Sequence, residues 1–230
     1  MTHPAPFPHG ALLPLVDDVH YLVGSVRMGP GVRIGRTMTV LVHEGELTLV
    51  NAIRLQDLGP LEALGRVAHV VKIGIHGMDD AFYAKACGAT RWALPGVDLP
   101  EPVERLSVDN LPVPWVSLFS FEHTVQPEGA LLADRDGGVL ITCDSVQNWP
   151  DTEQCSLLAK PLTSIMGFNA RPAQIGPPWR KGMTPPGGSL KEDFERMCQL
   201  PFRHLVGGHG KPLMGGAKEA LMATVSATFV

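Results

Sequence analysis

Apolar runs of strand length recur along this chain, and five side chains able to do chemistry stand just past their ends. β-Branched and aliphatic residues fill 19–26, 37–42 and 47–50, and Glu44-Gly45 separates the second run from the third. Such a break between two strand-forming runs predicts a β-hairpin. Further runs at 69–75, 116–121, 130–133, 139–142 and 204–206 predict five more strands. Those at 130–133 and 139–142 flank Asp134-Arg135-Asp136-Gly137-Gly138, which has hairpin chemistry.

Helical signals lie between the strands. Gly59-Pro60 opens a short helix over 58–64, and Asp79 or Asp80 is placed to cap a helix over 81–87 that stops at Gly88. Ser189-Leu190-Lys191-Glu192 reads as a capping box, and Leu190, Phe194, Met197 and Cys198 follow at helical spacing. A last helix over 217–228 carries Ala217, Leu221 and Val225 on one face. The class is therefore α/β (α+β). With 25 Gly and 21 Pro among 230 residues, about a fifth, a helical bundle or coiled coil is excluded. The stretch 169–188 is rich in both and reads as a lid or surface loop, while 1–14 reads as a loose N-terminal segment.

The length suits one domain spanning 1–230. Nineteen Lys and Arg against 23 Asp and Glu give a net charge of -4, so nucleic acid is not expected as a partner. No run approaches the roughly 18 apolar residues of a membrane span. Four widely spaced cysteines without a C-x-x-C pair suggest reduced thiols, and the expected location is the cytoplasm. Oligomeric state is not encoded legibly. The expected partner is a small-molecule substrate or ligand.

The five side chains are His76, Asp80, His123, Asp144 and His209. Strand ends and junction loops are where several side chains converge on one point, and His nitrogen with carboxylate oxygen is the donor set of a metal site. Taken singly, each has a plainer reading, and Asp80 serves equally well as a helix cap. His3, His9, His20, His43, His69 and His204 read as structural histidines.

Order and setting change that weighting. Ser189 to Gly210, reading SLKEDFERMCQLPFRHLVGGHG, resembles the helix, strand and Gly-His-Gly loop that carry the last metal histidine of the metallo-β-lactamase superfamily. Ile141-Thr142-Cys143-Asp144 resembles its strand ending in a bridging aspartate, and His123-Thr124 with Pro127-Glu128-Gly129 resembles the surroundings of its third histidine motif. The resemblance runs over most of the chain and implies a four-layer αββα sandwich with two mixed sheets. It would assign His76, position 78 and His123 to one metal and Asp80, position 81 and His209 to a second, with Asp144 bridging.

The family's H-x-H-x-D-H is degenerate here. His76-Gly77-Met78-Asp79-Asp80-Ala81 stands in its place, so a soft thioether and a methyl group occupy two ligand positions. What remains implies one divalent metal, zinc or iron, or none. A His76, His123 and Asp144 set would activate water for ester, thioester or amide hydrolysis, with Asp80 and His209 as second-site ligands or as general base and orienter. The same triad suits a mononuclear non-haem iron oxidoreductase. The third reading is a non-catalytic small-molecule-binding domain that has lost its metal site.

Overall fold

The computed structural model describes residues 6–75, 79–168 and 171–229. A seven-stranded sheet takes its strands in sequence order: β1 (Leu13–Val16), β2 (Val19–Gly29), β3 (Val32–His43), β4 (Glu46–Val50), β5 (Arg66–Lys72), β6 (Thr90–Ala93) and β7 (Glu104–Arg105). β1 to β4 run antiparallel, and β4 to β7 run parallel. The parallel crossovers carry α1 (Gly59–Glu62) and α2 (Asp80–Cys87).

The second sheet has β8 (Val116–Ser120), β9 (Gly129–Ala133) and β10 (Val139–Thr142) antiparallel, with β13 (His204–Val206) added parallel to β10. Between β10 and β13 the chain runs through β11 (Val146–Gln147), α3 (Ala159–Ile165), β12 (Gln174–Ile175), which pairs with β11 in a small ribbon, α4 (Pro177–Met183) and α5 (Lys191–Met197). The final helix is α6 (Ala217–Thr228).

Period-two strands generate the layers, because alternate side chains leave opposite faces of a sheet. On β9 and β10, Leu131, Ala133, Val139 and Ile141 point toward Val19, Leu41, Val50 and Val71 of the large sheet. Their neighbours Ala130 and Leu140 face Trp179, Phe194, Met197 and Leu221 on α4, α5 and α6. On the far side of the large sheet Leu22, Val40, Leu49 and Val70 cover Leu61 and Tyr83 of the first two helices. The product is helices, sheet, sheet, helices, as expected for αββα. Among the described residues no helix is long and apolar enough to cross a membrane.

The β3–β4 hairpin closes with His43 opposite Glu46, and both loop residues, Glu44 and Gly45, have positive φ, the two-residue turn that matches strand twist. Three expectations shift. β5 covers 66–72 rather than 69–75, because Gly74 approaches Glu128 and Cys143 so closely that a Cβ there would lie 2.5 Å from Glu128 Oε2. The Ser189 hydroxyl accepts the Lys191 N–H at 3.1 Å instead of capping from the residue next to the helix, where Leu190 stands. Finally, 169–188 is not a continuous loop: Pro177-Pro178 occupy the first turn of α4, where missing N–H groups cost nothing, and buried Trp179 and Met183 join the core.

Candidate functional site

The strongest convergence is between the end of β10 and the loop after β13. Asp144 Oδ1 stands 3.1 Å from His209 Nε2, and both residues are buried. The other imidazole nitrogen, Nδ1, lies 2.6 Å from the Gly35 carbonyl of β3, an acceptor only, so Nδ1 carries the proton. Gln147 of β11 donates from Nε2 to Asp144 Oδ1 at 3.3 Å and to the Asp144 carbonyl at 3.1 Å. Its amide oxygen accepts the Trp149 indole N–H at 2.8 Å, and the Trp149 ring stacks on His209 with 6.0 Å between centroids. Asp144, Gln147, Trp149 and His209 thus hold one another in a closed ring of contacts.

Glycine makes that approach available. The 207–210 loop lies against 143–148 so tightly that a Cβ on Gly210, whose φ is +83°, would sit 2.0 Å from the Asn148 carbonyl oxygen. β3 clasps the same loop from the other side, with Thr37 N–H to the Gly208 carbonyl at 2.8 Å and Thr37 Oγ1 to the Gly210 carbonyl at 2.6 Å. Asn51, ending β4 at a φ of +56°, donates to the Thr142 carbonyl at 2.9 Å and ties the two sheets together at this edge.

Asp144 and His209 line two adjoining lobes of one cleft, of about 290 and 450 Å³, which also share Met28, Ile34 and Ile75. Arg36 and Asn51 close the smaller lobe, while the larger is walled by α3, α4, Trp149 and Phe168. Beneath them Glu128 is 1% exposed, and burial, reinforced by the nearby Asp144 carboxylate, lifts its carboxyl well above the usual carboxylate range. The Trp179 indole N–H and the amides of Asp144 and Ser145 face it without completing a hydrogen bond.

The other candidate residues are placed differently. His76 lies outside the described residues, as does Met78. His123 does not line the cleft; its Nδ1 is 3.3 Å from Asp193 Oδ2 and its Nε2 3.8 Å from Glu192 Oε2, at the start of α5. Asp193, fully buried, also accepts the N–H groups of Glu122 and His123 at 3.0 Å each and pairs with Arg196 at 2.6 Å. Asp80 is buried against Lys72, with Nζ 3.7 Å from Oδ2, and burial raises its pKa despite that ammonium and Arg36. Asp79 caps nothing with its side chain and instead takes Arg36 Nη1 at 3.3 Å and the Arg54 N–H at 3.1 Å.

The geometry therefore tests the metal expectation ligand by ligand. Asp144 and His209 fit: two donors that each hold one ion at about 2.0–2.2 Å stand about this far apart, and the Nδ1–H to Gly35 is the support a ligating imidazole uses. Asp80 fits poorly, because a lysine ammonium already supplies its countercharge. His123 is held by two acids instead. Among the described residues no three His, Cys, Asp or Glu side chains cluster as a complete donor set. Arg36, Lys72, Gln147 and Trp149 escaped the sequence reading. Lys72, a charge inside an apolar strand run, was the one visible signal.

No family model matches this sequence, and no curated protein sequence matches it either. Solved structures do. The metallo-β-lactamase FIM-1 from Pseudomonas aeruginosa, crystallised in a mono-zinc form, superposes with a TM-score of 0.63 at 11% identity, covering 97% of each chain. DIM-1 metallo-β-lactamase gives 0.62 at 9% identity over 97% of this chain and 99% of its own, and a metallo-β-lactamase from Hirschia baltica gives 0.59 at 14% over 95% and 97%. This chain has the metallo-β-lactamase fold. At these identities the likeness concerns the fold, and function rests on the site itself.

Proposed function

We propose that the chain is a divergent metallo-hydrolase-like protein acting on a small molecule with an ester, thioester or amide carbonyl. The observation that carries the reading is the buried Asp144–His209 pair at the floor of the cleft. Gln147 Nε2 donates to Asp144 Oδ1, which orients the carboxylate, and Asp144 takes the proton of an attacking water. His209, fixed by Gly35 and Trp149, donates to Asp144 when its Nε2 also carries a proton and offers that nitrogen's lone pair to an ion when it does not. The apolar walls exclude bulk water, which strengthens each of these interactions. A single divalent ion, zinc or iron, would be held by Asp144 and His209 with His76, supplying Lewis acidity and an acidified water. Asp80 and His123 stand outside this set, paired as they are with Lys72 and with Asp193 and Glu192.

The test is hydrolysis of activated acetate esters by chelator-treated and zinc- or iron-supplemented protein, beside the folded Asp144→Asn variant. Loss of a positioned proton acceptor lowers the rate roughly 10²–10⁴-fold. An Asp144→Asn variant as active as the parent refutes the assignment. One observation favours a non-catalytic binding domain as the second reading: Lys72 and Arg36 supply internal countercharge to Asp80 and Asp79. That reading predicts ligand binding without turnover under every metal condition.

A further inference from the structure

The larger lobe of the cleft is mostly apolar. Among the described residues Asp144 and His209 are its sole titratable lining residues, Gln126, Gln147 and Thr163 add uncharged polar groups, and the apolar wall runs from Trp149, stacked on His209, to Phe168, Leu162, Met166 and Met183. Among the described residues lining this lobe there is no Lys or Arg to neutralise a phosphate or carboxylate on the ligand's far end. Three of the lining residues are methionines, Met28, Met166 and Met183, whose unbranched chains conform to a flexible ligand. One wall is fixed in place: Ser156, just before α3, exchanges hydrogen bonds with Arg33 at 2.9 and 3.1 Å and donates to the Gly31 carbonyl at 2.8 Å, fastening the helix to the β2–β3 hairpin.

The apolar character continues outside. Leu157, Leu158 and Ile165 on and beside α3 are 84%, 66% and 83% exposed, and Met28 at the hairpin end is 61% exposed. A compact ligand would have no use for that surface. A chain longer than the cavity would lie along it.

We propose that this lobe receives the hydrocarbon tail of an acyl substrate, a medium- to long-chain ester or thioester whose carbonyl stands at Asp144 and His209. The head-group chemistry rests on the hydrolase reading above, whereas the tail site does not. A cavity of about 450 Å³ is of ligand size. Each methylene moved from water into it strengthens binding roughly fourfold.

Tail binding is measured with saturated primary alcohols of increasing length, which cannot be hydrolysed, through the fluorescence of Trp149 and Trp179. Affinity is expected to rise roughly fourfold per methylene and then level off once the lobe is filled. Gly182→Leu gives the matched variant: Gly182 lines the lobe within α4, and a Cβ there meets no atom outside its own helix within 4 Å, so a larger side chain can be added at the lobe's wall to narrow it. In that variant the levelling-off moves to shorter chains while the unfolding temperature is kept or raised. Affinity independent of chain length, or a folded Gly182→Leu variant with the parent's length profile, overturns the tail site. A parallel series of p-nitrophenyl esters separates the two claims. Length-dependent binding without hydrolysis supports the tail site and refutes the hydrolase reading, whereas ester hydrolysis with no length preference does the opposite.

Discussion

Lys72→Met isolates a buried ion pair at the back of the site. Lys72 and Asp80 side chains are 8% and 9% exposed, with the ammonium 3.7 Å from the carboxylate. Removing one partner of a buried pair costs roughly 3–5 kcal/mol, because the other charge is left in a poor solvent. Two features pull the cost toward the low end: Arg36 remains as a second nearby cation, and Asp80, whose pKa burial already raises, escapes by taking a proton. At roughly 2–4 °C per kcal/mol for a chain of this size, about 3 kcal/mol is a fall of about 6–12 °C in Tm. The pH dependence has a definite sign. A carboxyl with a raised folded-state pKa contributes stability below its unfolded pKa and loses it as pH climbs through the folded one. Without Lys72 the folded-state pKa of Asp80 rises further, so the penalty is largest near neutral pH and shrinks below the ordinary carboxylate pKa of about 4. Scanning calorimetry at both pH values reads this directly, and Lys72→Met/Asp80→Leu should recover most of the loss, since an apolar replacement of a buried pair is often neutral. A pH-independent fall, or one under about 2 °C, would show that the pair is not the buried, mutually dependent unit described.

Asp193→Ala should destabilise by roughly 2–4 kcal/mol at neutral pH, since it removes the acceptor of two backbone N–H groups and the partner of Arg196. Burial alone would raise the Asp193 pKa, but the Glu122 N–H, Arg196 and His123 outweigh it and hold the carboxyl below its ordinary value. Its stabilisation is present above the unfolded pKa and lost as pH falls through the folded one, so denaturation midpoints of variant and parent should converge in acid. Gly210→Ala should cost roughly 1–3 kcal/mol through its left-handed φ alone, with more from the crowding against Asn148, and a variant of parental stability would contradict the described loop. Trp149→Ala should lower activity on esters, mainly in kcat, by releasing His209 and Gln147. A change confined to KM would mark Trp149 as a wall of the cleft and nothing more.

The fold was legible because its signals are local. Alternating apolar runs named most of the strands, and α6 was read to its last residue from Ala217, Leu221 and Val225. Asp144 and His209 were legible as side chains just past β10 and β13, whose parallel pairing brings them together. α4 was hidden because its prolines argue for a loop unless they fall in a first turn, and because Trp179 and Met183 are visible as core only once α5 is in place. The fate of His123 depended on Asp193, 70 residues away and itself read only as part of a helix start. Lys72 and Arg36 were equally opaque: a buried cation announces itself by its partner, and Asp80 and Asp79 read as caps.

Zinc titration of chelator-treated protein by calorimetry, beside His209→Ala and Asp144→Ala, tests the central claim most directly. The account predicts one tightly held ion per chain in the parent and its loss in both variants, with His123→Ala unaffected. Two ions at full stoichiometry, no binding by the parent, or binding that survives loss of Asp144 or His209 would contradict it.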